Sequence, residues 1–286
     1  MEGELWAELY PLVCELGKRY RQARTQHSNT TIVLVYGWAV LHDRPVRWAC
    51  APANWPLRNR PLMLPSASTM SRRMRTLSVL RFLEGLASAL RDRLPHRWVK
   101  TVDAKPLAVG AYSKDRDARW GQAGPTKAKG YKLFAICDGE QAVDRWRIGP
   151  MNQDEPRTAI RLLEGLDGGG YLLGDALYDS NPLHAVATAR GWQLVAPRKK
   201  PQAGLGHRTH EPGRLRSIEL LKTTFGRTLY ACRTSIERCF GQLGSFAGGL
   251  GPLPHWVRRP HRVATWVQMK LIINALRVLQ KQRPAA

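Results

Sequence analysis

Three acidic side chains occupy positions from which they could bind a cation together. Asp103 closes the strand-like run Trp98–Asp103, and Asp175 follows the apolar run Tyr171–Gly174. Glu237 lies within a helical pattern nearer the C-terminus. Carboxylate oxygens are the ligands that Mg²⁺ prefers, and two or three of them together with waters suit its coordination. The pattern therefore predicts a divalent cation held by acids from separate elements of the fold.

The carboxylates of Asp103 and Asp175 are predicted to meet at one edge of a sheet. The run before Asp175 is uniformly apolar, as in a parallel strand covered on both faces, and a helical pattern follows it over residues 182–190. Ligands bind at the carboxyl ends of such strands. If the two strands are parallel neighbours, their carboxylates repel each other unless a cation lies between them. Taken alone, Asp175 is equally consistent with capping of the following helix.

Glu237 belongs to a helix predicted over residues 233–243. Its buried stripe is formed by Ile236, Phe240 and Leu243. Tyr230 and Arg233 precede Glu237 at helical spacing, so the three side chains share a face if the helix extends that far. One interpretation is a structural ion pair between Arg233 and Glu237. The other is a metal-binding acid flanked by an arginine that contacts phosphate and a tyrosine that stacks or donates a hydrogen bond.

The elements that must position these residues form an α/β domain. Five strands are predicted near residues 98–103, 130–137, 142–148, 171–174 and 192–196, and helical patterns lie between and after the last of them. The first three strands suit an antiparallel meander, whereas strand–helix–strand crossovers make the later strands parallel. We expect one mixed five-stranded sheet with helices on both faces, within a domain of residues 96–286.

Residues 1–95 are predicted to be mainly helical and to bind DNA, with a helix-turn-helix near residues 45–80. A helix opens after Pro65, where Ser66 or Ser68 is the expected N-cap. Short hydroxyls and arginines on the first turns of an exposed helix suit contact with phosphates and base edges. The candidates for these contacts are Ser71, Arg72, Arg73 and Arg75. An ordinary basic surface helix is the alternative interpretation.

The composition points to a polyanionic partner. The 286 residues include 45 Lys+Arg against 22 Asp+Glu, a formal net charge of +23. Nucleic acid is the leading candidate, a membrane surface is the second, and a generally basic proteome would also produce such a chain. The basic segment 197–217 stands between the last strand and the next helix. Within it, Arg198, Lys199 and Lys200 are predicted to contact nucleic acid.

Several classes of protein are excluded by the same sequence. The five cysteines form no CxxC pair, so neither a disulfide framework nor a zinc knuckle is predicted. The N-terminus lacks the basic and apolar regions of a signal peptide. The longest apolar run, residues 31–41, is too short to span a bilayer. We therefore expect an intracellular protein without a membrane anchor.

The sequence resembles the bacterial DDE transposases of insertion sequences over roughly residues 98–279. The motifs are Val102-Asp103-Ala104, Gly174-Asp175-Ala176 and Tyr230-x2-Arg233-x3-Glu237. The resemblance implies an RNase H-like catalytic domain in which Asp103, Asp175 and Glu237 hold two Mg²⁺ ions, with Mn²⁺ as a substitute. It also implies cut-and-paste transposition, with cleavage and joining of terminal inverted repeats. Tyr230 and Arg233 would contact the phosphates of these ends, and a homodimer would hold two ends together with target DNA, in the cytoplasm at the nucleoid.

Two departures from the family pattern leave other functions open. Many relatives have a lysine seven residues after the glutamate, where this chain has Gly244. Lys270 and Arg238 are the candidates to replace it. The interval of roughly sixty residues between Asp175 and Glu237 leaves no room for a large inserted β domain. The alternatives are a non-catalytic DNA-binding protein, derived from a domesticated or decayed transposase, and a structure-specific nuclease of the same fold.

Overall fold

The computed structural model describes residues 2–20, 25–139, 142–207 and 209–282. The chain divides into two compact units. Unit 1 consists of Met1–Pro95, Leu243–Val257 and His261–Ala286, and unit 2 consists of His96–Gln242 and Arg258–Pro260. The first division lies at the end of the predicted N-terminal region. The C-terminal part differs from the prediction, since most of it groups with unit 1.

Unit 1 is helical. Its helices are α1 Glu2–Gly17, α2 Asn29–Leu41, α3 Val46–Ala49, α4 Ala67–Arg73 and α5 Leu77–Arg91. Helix α2 contains the longest apolar run of the sequence, residues 31–41, and it is buried on nearly all sides. The Ser28 side chain caps it by accepting a hydrogen bond from the Thr31 N–H at 3.1 Å. Ser66 caps α4 in the same manner through the Thr69 N–H, which confirms that prediction.

The C-terminal helix, Pro260–Gln282, groups with unit 1 from His261 onward because its side chains complete that core. Lys270 shows this most clearly. It is fully buried, and its ammonium donates to Val40 O at 2.8 Å, to Gly248 O at 2.9 Å and to Asp43 Oδ1 at 2.7 Å. Each of the three N–H groups therefore has an acceptor within the unit.

Unit 2 is built on a six-stranded mixed sheet. Its strands are β1 Val99–Ala108, β2 Arg119–Ala123, β3 Thr126–Asp138, β4 Ala142–Pro150, β5 Gly170–Leu173 and β6 Trp192–Val195. The order is β2-β3-β1-β5-β6, and β4 also pairs with β3. β3 is antiparallel to β1, β2 and β4, whereas β1, β5 and β6 are mutually parallel. The predicted class, a mixed sheet flanked by helices and preceded by a helical region, is confirmed.

Helices cover both faces of this sheet. The helices of unit 2 are α6 Glu155–Leu163, α7 Asn181–Ala189, α8 Pro212–Lys222, α9 Thr224–Ala231 and α10 Ser235–Gly244, the last of which ends in unit 1. Leu172 and Leu194 pack against the side chains of α6 and α7. Their neighbours Leu173 and Val195 pack against α8 and α9. Because successive strand residues point to opposite faces, the apolar runs of β5 and β6 serve both layers.

The sixth strand, β2, lies in a stretch that the sequence presented as polar connection. It pairs with residues 126–130 of β3 at the edge of the sheet, and most of its residues are at least partly exposed. An edge strand of this kind has no buried face and therefore lacks the apolar alternation by which strands are recognised. Gly124, with φ of +67°, forms the turn that joins β2 to β3.

Candidate active site

Asp103 and Asp175 occupy equivalent positions on two neighbouring strands. The parallel pairing of β1 and β5 places Val99 beside Tyr171 and Thr101 beside Leu173. Each aspartate comes two residues after the last member of that pairing. Asp175 follows the end of β5, whereas Asp103 lies within β1, which continues to Ala108 in antiparallel pairing with β3. The two acids therefore lie near the carboxyl end of β5, where open α/β sheets bind ligands.

The electrostatics of Asp103 show that the acids interact. Burial, together with the charges of Asp175 and Glu155, raises the pKa of Asp103 to about 6, while the Ala104 N–H and the Arg233 guanidinium oppose the shift. The Ala104 N–H donates to Asp103 Oδ1 at 2.7 Å. A proton is therefore held more tightly at Asp103 than at an ordinary aspartate, as expected of a carboxyl group with acidic neighbours.

Asp175 also has the capping role considered as an alternative. Its Oδ1 accepts a hydrogen bond from the Leu177 N–H at 2.7 Å and caps the short 3₁₀ helix Ala176–Tyr178. This bond fixes the direction of the carboxylate at the end of β5. Capping and cation binding do not exclude each other, because a carboxylate has two oxygens and several lone pairs.

Glu155, in the first turn of α6, is an acidic neighbour of Asp103 that the sequence analysis missed. Its Oε1 accepts from the Lys132 ammonium at 2.6 Å, and its Oε2 accepts from the Tyr178 hydroxyl at 3.2 Å. The direction of α6 could have revealed it. A helix that leads into a parallel strand runs antiparallel to that strand, so α6 begins at the edge where β5 ends.

Tyr230, Arg233 and Glu237 lie on consecutive helical segments. Tyr230 is on α9, Arg233 is in the 3₁₀ turn Cys232–Thr234, and Glu237 is in the first turn of α10. Burial raises the pKa of the Tyr230 phenol, with Arg233 acting to lower it and Asp175 to raise it. Arg233 Nη2 donates to Glu237 Oε1 at 2.8 Å, and the Glu237 side chain is 59% exposed. The structure thus shows the ion pair that was one of the two interpretations of this motif.

The donor set fits a hard divalent cation in part. Two carboxylates at equivalent positions of adjacent strands, one with a raised pKa, form a site that a cation would stabilise. Within the described residues, however, no group of three or more His, Cys, Asp or Glu side chains is arranged to hold a metal ion. Glu237 is paired with Arg233 rather than joined to the aspartates.

Asp179 does not cap the helix that follows it. Ser180 is the N-cap residue of α7 but forms no capping hydrogen bond with its side chain. The buried Asp179 carboxylate instead accepts two bonds from Arg214, from Nε at 2.6 Å and from Nη2 at 2.7 Å. It also accepts a bond from the Lys199 N–H at 3.3 Å. Arg214, chiefly through its hydrogen bonds, holds the pKa of Asp179 well below its usual range against the effect of burial.

The basic residues predicted to contact nucleic acid differ in their accessibility. On and after α4, Arg72 and Arg75 are exposed. Arg73 does not project outward as predicted, because its guanidinium donates to His27 O at 2.9 Å and to Asn29 Oδ1 at 2.5 Å. It ties α4 to the start of α2 and is a structural residue.

Two of the three residues in the basic segment before α8 that were predicted to contact nucleic acid are exposed. Lys199 and Lys200 are exposed. Arg198 donates to the carbonyl oxygens of Pro201 and Ala203 and so shapes its own loop. Lys270 is removed from the candidates for the missing lysine, because its ammonium is buried and its donors are all used.

Comparison with known proteins establishes the family. Residues 95–272 match the family described as "Transposase DDE domain", a span that includes both aspartates and Glu237. The chain belongs to this transposase family. The resemblance found from the three motifs is thereby confirmed for the family.

Two transposases show similarity to the chain. One is a transposase for insertion sequence element IS1106 of Neisseria meningitidis serogroup B, 38% identical over 68 residues, which cover 24% of this chain and 24% of that relative. The other is in a cryo-EM structure of a piggyBac transposase synaptic complex with hairpin DNA, at 9% identity and a TM-score of 0.49, covering 98% of this chain and 75% of that one. Among the described residues, no helix is both long enough and apolar enough to cross a membrane.

Proposed function

We propose that the protein is a DDE transposase that binds the terminal inverted repeats of its insertion sequence and catalyses metal-dependent DNA strand cleavage and strand transfer. The observation that carries the proposal is the placement of Asp103 and Asp175 at equivalent positions just beyond the paired segment of the parallel strands β1 and β5. The raised pKa of Asp103 supports it, because a carboxyl pair of this kind is stabilised by a bound cation. Membership in the transposase family supports the choice of DNA as substrate.

Asp103 and Asp175 would hold Mg²⁺, with Glu237 as the third acid and Mn²⁺ as a possible substitute. Two such ions activate the attacking oxygen and stabilise the leaving oxygen in phosphodiester chemistry. Glu237 can take part only by exchanging its Arg233 partner for the cation, and its exposure leaves that exchange open to it. The freed Arg233 guanidinium is then available to a phosphate oxygen, for which its planar donor pattern is suited.

The residues around the aspartates would orient the DNA strand. Tyr230 lies within electrostatic reach of both Arg233 and Asp175, so its hydroxyl is placed to donate to a phosphate near the metal site. Glu155 would act as a positioning residue, since its bond to Tyr178 holds the loop that carries Asp175. Its ion pair with Lys132 keeps it directed toward that loop.

Two regions of the chain would have different roles. Residues 1–95 would form the helical DNA-binding region, using Arg72 and Arg75, and residues 96–286 would contain the catalytic domain, whose acids all lie in unit 2. Lys199 and Lys200 would bind phosphates next to the catalytic site, because Asp179 accepts a bond from the Lys199 backbone at the end of the Asp175 loop. A homodimer is expected on the DNA, since two ends must be joined in one complex.

A second candidate function is DNA binding without catalysis. The ion pair between Arg233 and Glu237 and the glycine at position 244 favour it, because together they leave the third acid and the usual lysine out of the site. Such a protein would bind the same ends and leave them unbroken.

Incubation with a plasmid that carries the inverted repeats flanking the gene tests both candidates. The proposed transposase nicks the plasmid at the repeat ends in Mg²⁺ and joins the released 3′ ends to target DNA. Asp103→Asn should abolish nicking while leaving DNA binding, measured by gel shift, unchanged. The matched control is Asp167→Asn, which removes a carboxylate that is 96% exposed and lies outside the site. Binding without nicks by the unaltered protein would establish the second candidate, and cleavage independent of the repeats would indicate a structure-specific nuclease.

A further inference from the structure

Unit 1 contains a cavity of about 280 Å³. It lies among α2, α3, α4, the segment before the C-terminal helix and the first turns of that helix. Ligand pockets in proteins begin at about 300 Å³, so the space suits a ligand of roughly the size of one nucleotide. The cavity is separate from the acids of unit 2, and no role proposed above uses it.

The buried part of the cavity wall is apolar and aromatic. Its deepest side chains are those of Met70, Val257 and Trp266, and Met74 and Trp256 line it where burial is partial. Flat indole surfaces and flexible thioethers contact planar rings favourably. The wall therefore fits a flat, largely apolar group better than a branched or strongly hydrated one.

One buried polar group in this wall lacks a hydrogen-bond partner. The Trp256 indole nitrogen is buried and unpaired throughout the described residues. Tyr36 lines the same cavity and is only 6% exposed. Burial raises the pKa of the Tyr36 phenol, so the hydroxyl keeps its proton and remains a donor. Buried polar groups are normally hydrogen-bonded, and a ligand with acceptors on its ring edge would satisfy the indole N–H.

The exposed part of the lining is basic. Arg47, Arg75 and Arg262 line the cavity from exposed positions. None of the three forms an ion pair with a carboxylate in the described part of the chain, and Arg75 makes only a 3.3 Å contact with Ser71 Oγ. Three arginines around one opening, without acids, are complementary to a phosphate group.

We infer that this cavity is a nucleotide-binding site that holds a base against Trp256 and Trp266 and a phosphate at Arg47, Arg75 and Arg262. The flat apolar wall, the unpaired indole N–H of Trp256 and the arginines each match a different part of a nucleotide. The ligand is either a free nucleotide in solution or an unpaired base extruded from a DNA strand into this close-fitting pocket. Binding of an extruded base rests on the proposed function, whereas binding of a free nucleotide does not.

Titration of ¹⁵N-labelled full-length protein with deoxyadenosine monophosphate tests the site without metal or cleavage. The Trp256 indole resonance, assigned with Trp256→Phe, should shift as its N–H gains an acceptor. Deoxyadenosine should bind more weakly, since it lacks the phosphate. Inorganic phosphate should leave the indole resonance unmoved. No shift at millimolar nucleotide, or an equal shift with phosphate alone, would overturn the inference.

Two variants separate the cavity from general attraction of anions. Ala67→Phe places a ring at an exposed lining position and should weaken nucleotide binding by about tenfold or more without disturbing the core. Arg75→Gln should weaken it by several-fold. Arg81→Gln, an exposed change on α5 away from the lining, is the matched control and should bind as the unaltered protein does. Unchanged binding by both Ala67→Phe and Arg75→Gln would contradict the site.

The source of the nucleotide can be identified by comparing two DNA duplexes in EDTA. One has a single unpaired adenine and the other is fully paired, and the binding of the protein to each is measured. Tighter binding of the bulged duplex that is lost in Ala67→Phe assigns the cavity to an extruded base. Equal binding of both duplexes, together with the indole shift by free nucleotide, assigns it to nucleotides in solution. Because no strand is cut in EDTA, failure here is distinguishable from failure of the proposed cleavage.

Discussion

Asp175 and Asp179 lie on one loop, and their environments are opposite. Asp179 is buried, receives two hydrogen bonds from Arg214 and has a lowered pKa. Asp175 ends the neighbouring strand beside Asp103, whose pKa burial and nearby acids raise to about 6. Neither Asp103 nor Asp175 forms an ion pair with any residue that the structure describes. One acid stabilises the fold, and the other two leave their charge available.

The same loop therefore carries one carboxylate that stabilises the structure and one that is suited to function. A buried charge with a bidentate partner is a fixed part of the structure, and removal of either partner is costly. Two acids that face each other without a cation destabilise the fold when both are ionised. Such an arrangement is typical of functional sites, where perturbed pKa values concentrate.

The largest expected effect is on catalysis. Asp175→Asn, which keeps the shape and the capping oxygen, should lower Mg²⁺-dependent cleavage of end-containing DNA by about a thousandfold, because the charge that binds the cation is lost. Rates of nicking at saturating protein measure this. DNA affinity, measured by fluorescence anisotropy in EDTA, should be unchanged. A cleavage rate within a few-fold of the unaltered protein would remove Asp175 from the site.

The largest effect on stability is expected from removing the partner of Asp179. Arg214→Met leaves Asp179 buried without its partner and should lower the free energy of unfolding by about 3 kcal/mol. Urea unfolding at pH 7.5 measures the change. Arg216→Met is the matched control, because that exposed guanidinium bonds only to side-chain oxygens of Gln193 and Thr188. If both variants lose the same free energy of unfolding, the ion pair between Arg214 and Asp179 contributes no more to stability than an exposed arginine does.

The comparison also explains which parts of the site could be predicted from the sequence. Asp103 and Asp175 could be placed near each other because each follows a local strand-like run and the two runs pair in parallel, although β1 continues beyond Asp103 to Ala108. The pairing of Asp179 with Arg214 joins residues 35 positions apart, and that of Glu155 with Lys132 joins residues 23 apart. Contacts between residues so far apart leave no periodic pattern in the sequence. The fold class follows from patterning, whereas edge strand β2 and the inward turn of Arg73 depend on long-range packing.

The raised pKa of Asp103 predicts an unusual pH dependence in metal-free protein. Below about pH 4 the group is protonated in both folded and unfolded chains and costs nothing, whereas above pH 6 the folded state must hold the buried charge. Its contribution to stability therefore falls as pH rises through that window. Asp103→Asn should be more stable than the unaltered protein by about 1–2 kcal/mol at pH 7.5 and equally stable at pH 4.

Urea unfolding in EDTA at the two pH values measures this difference. Asp167→Asn, at a fully accessible position, serves as the control and should show no gain at either pH. A loss of stability in Asp103→Asn at pH 7.5 would mean that the carboxylate is held by a favourable partner, as Asp179 is.

The smallest effect on stability is expected at Glu237, where the two candidate functions diverge. Its exposed ion pair with Arg233 should contribute at most about 0.5 kcal/mol, so Glu237→Gln should unfold as the unaltered protein does in EDTA. If Glu237 leaves Arg233 to bind the cation, Mn²⁺ will raise the melting temperature of the unaltered protein more than that of the variant. Ligands that bind only the folded state stabilise it in proportion to their affinity. Equal shifts in the two proteins would keep Glu237 as a surface ion pair and leave the cation to Asp103 and Asp175 alone.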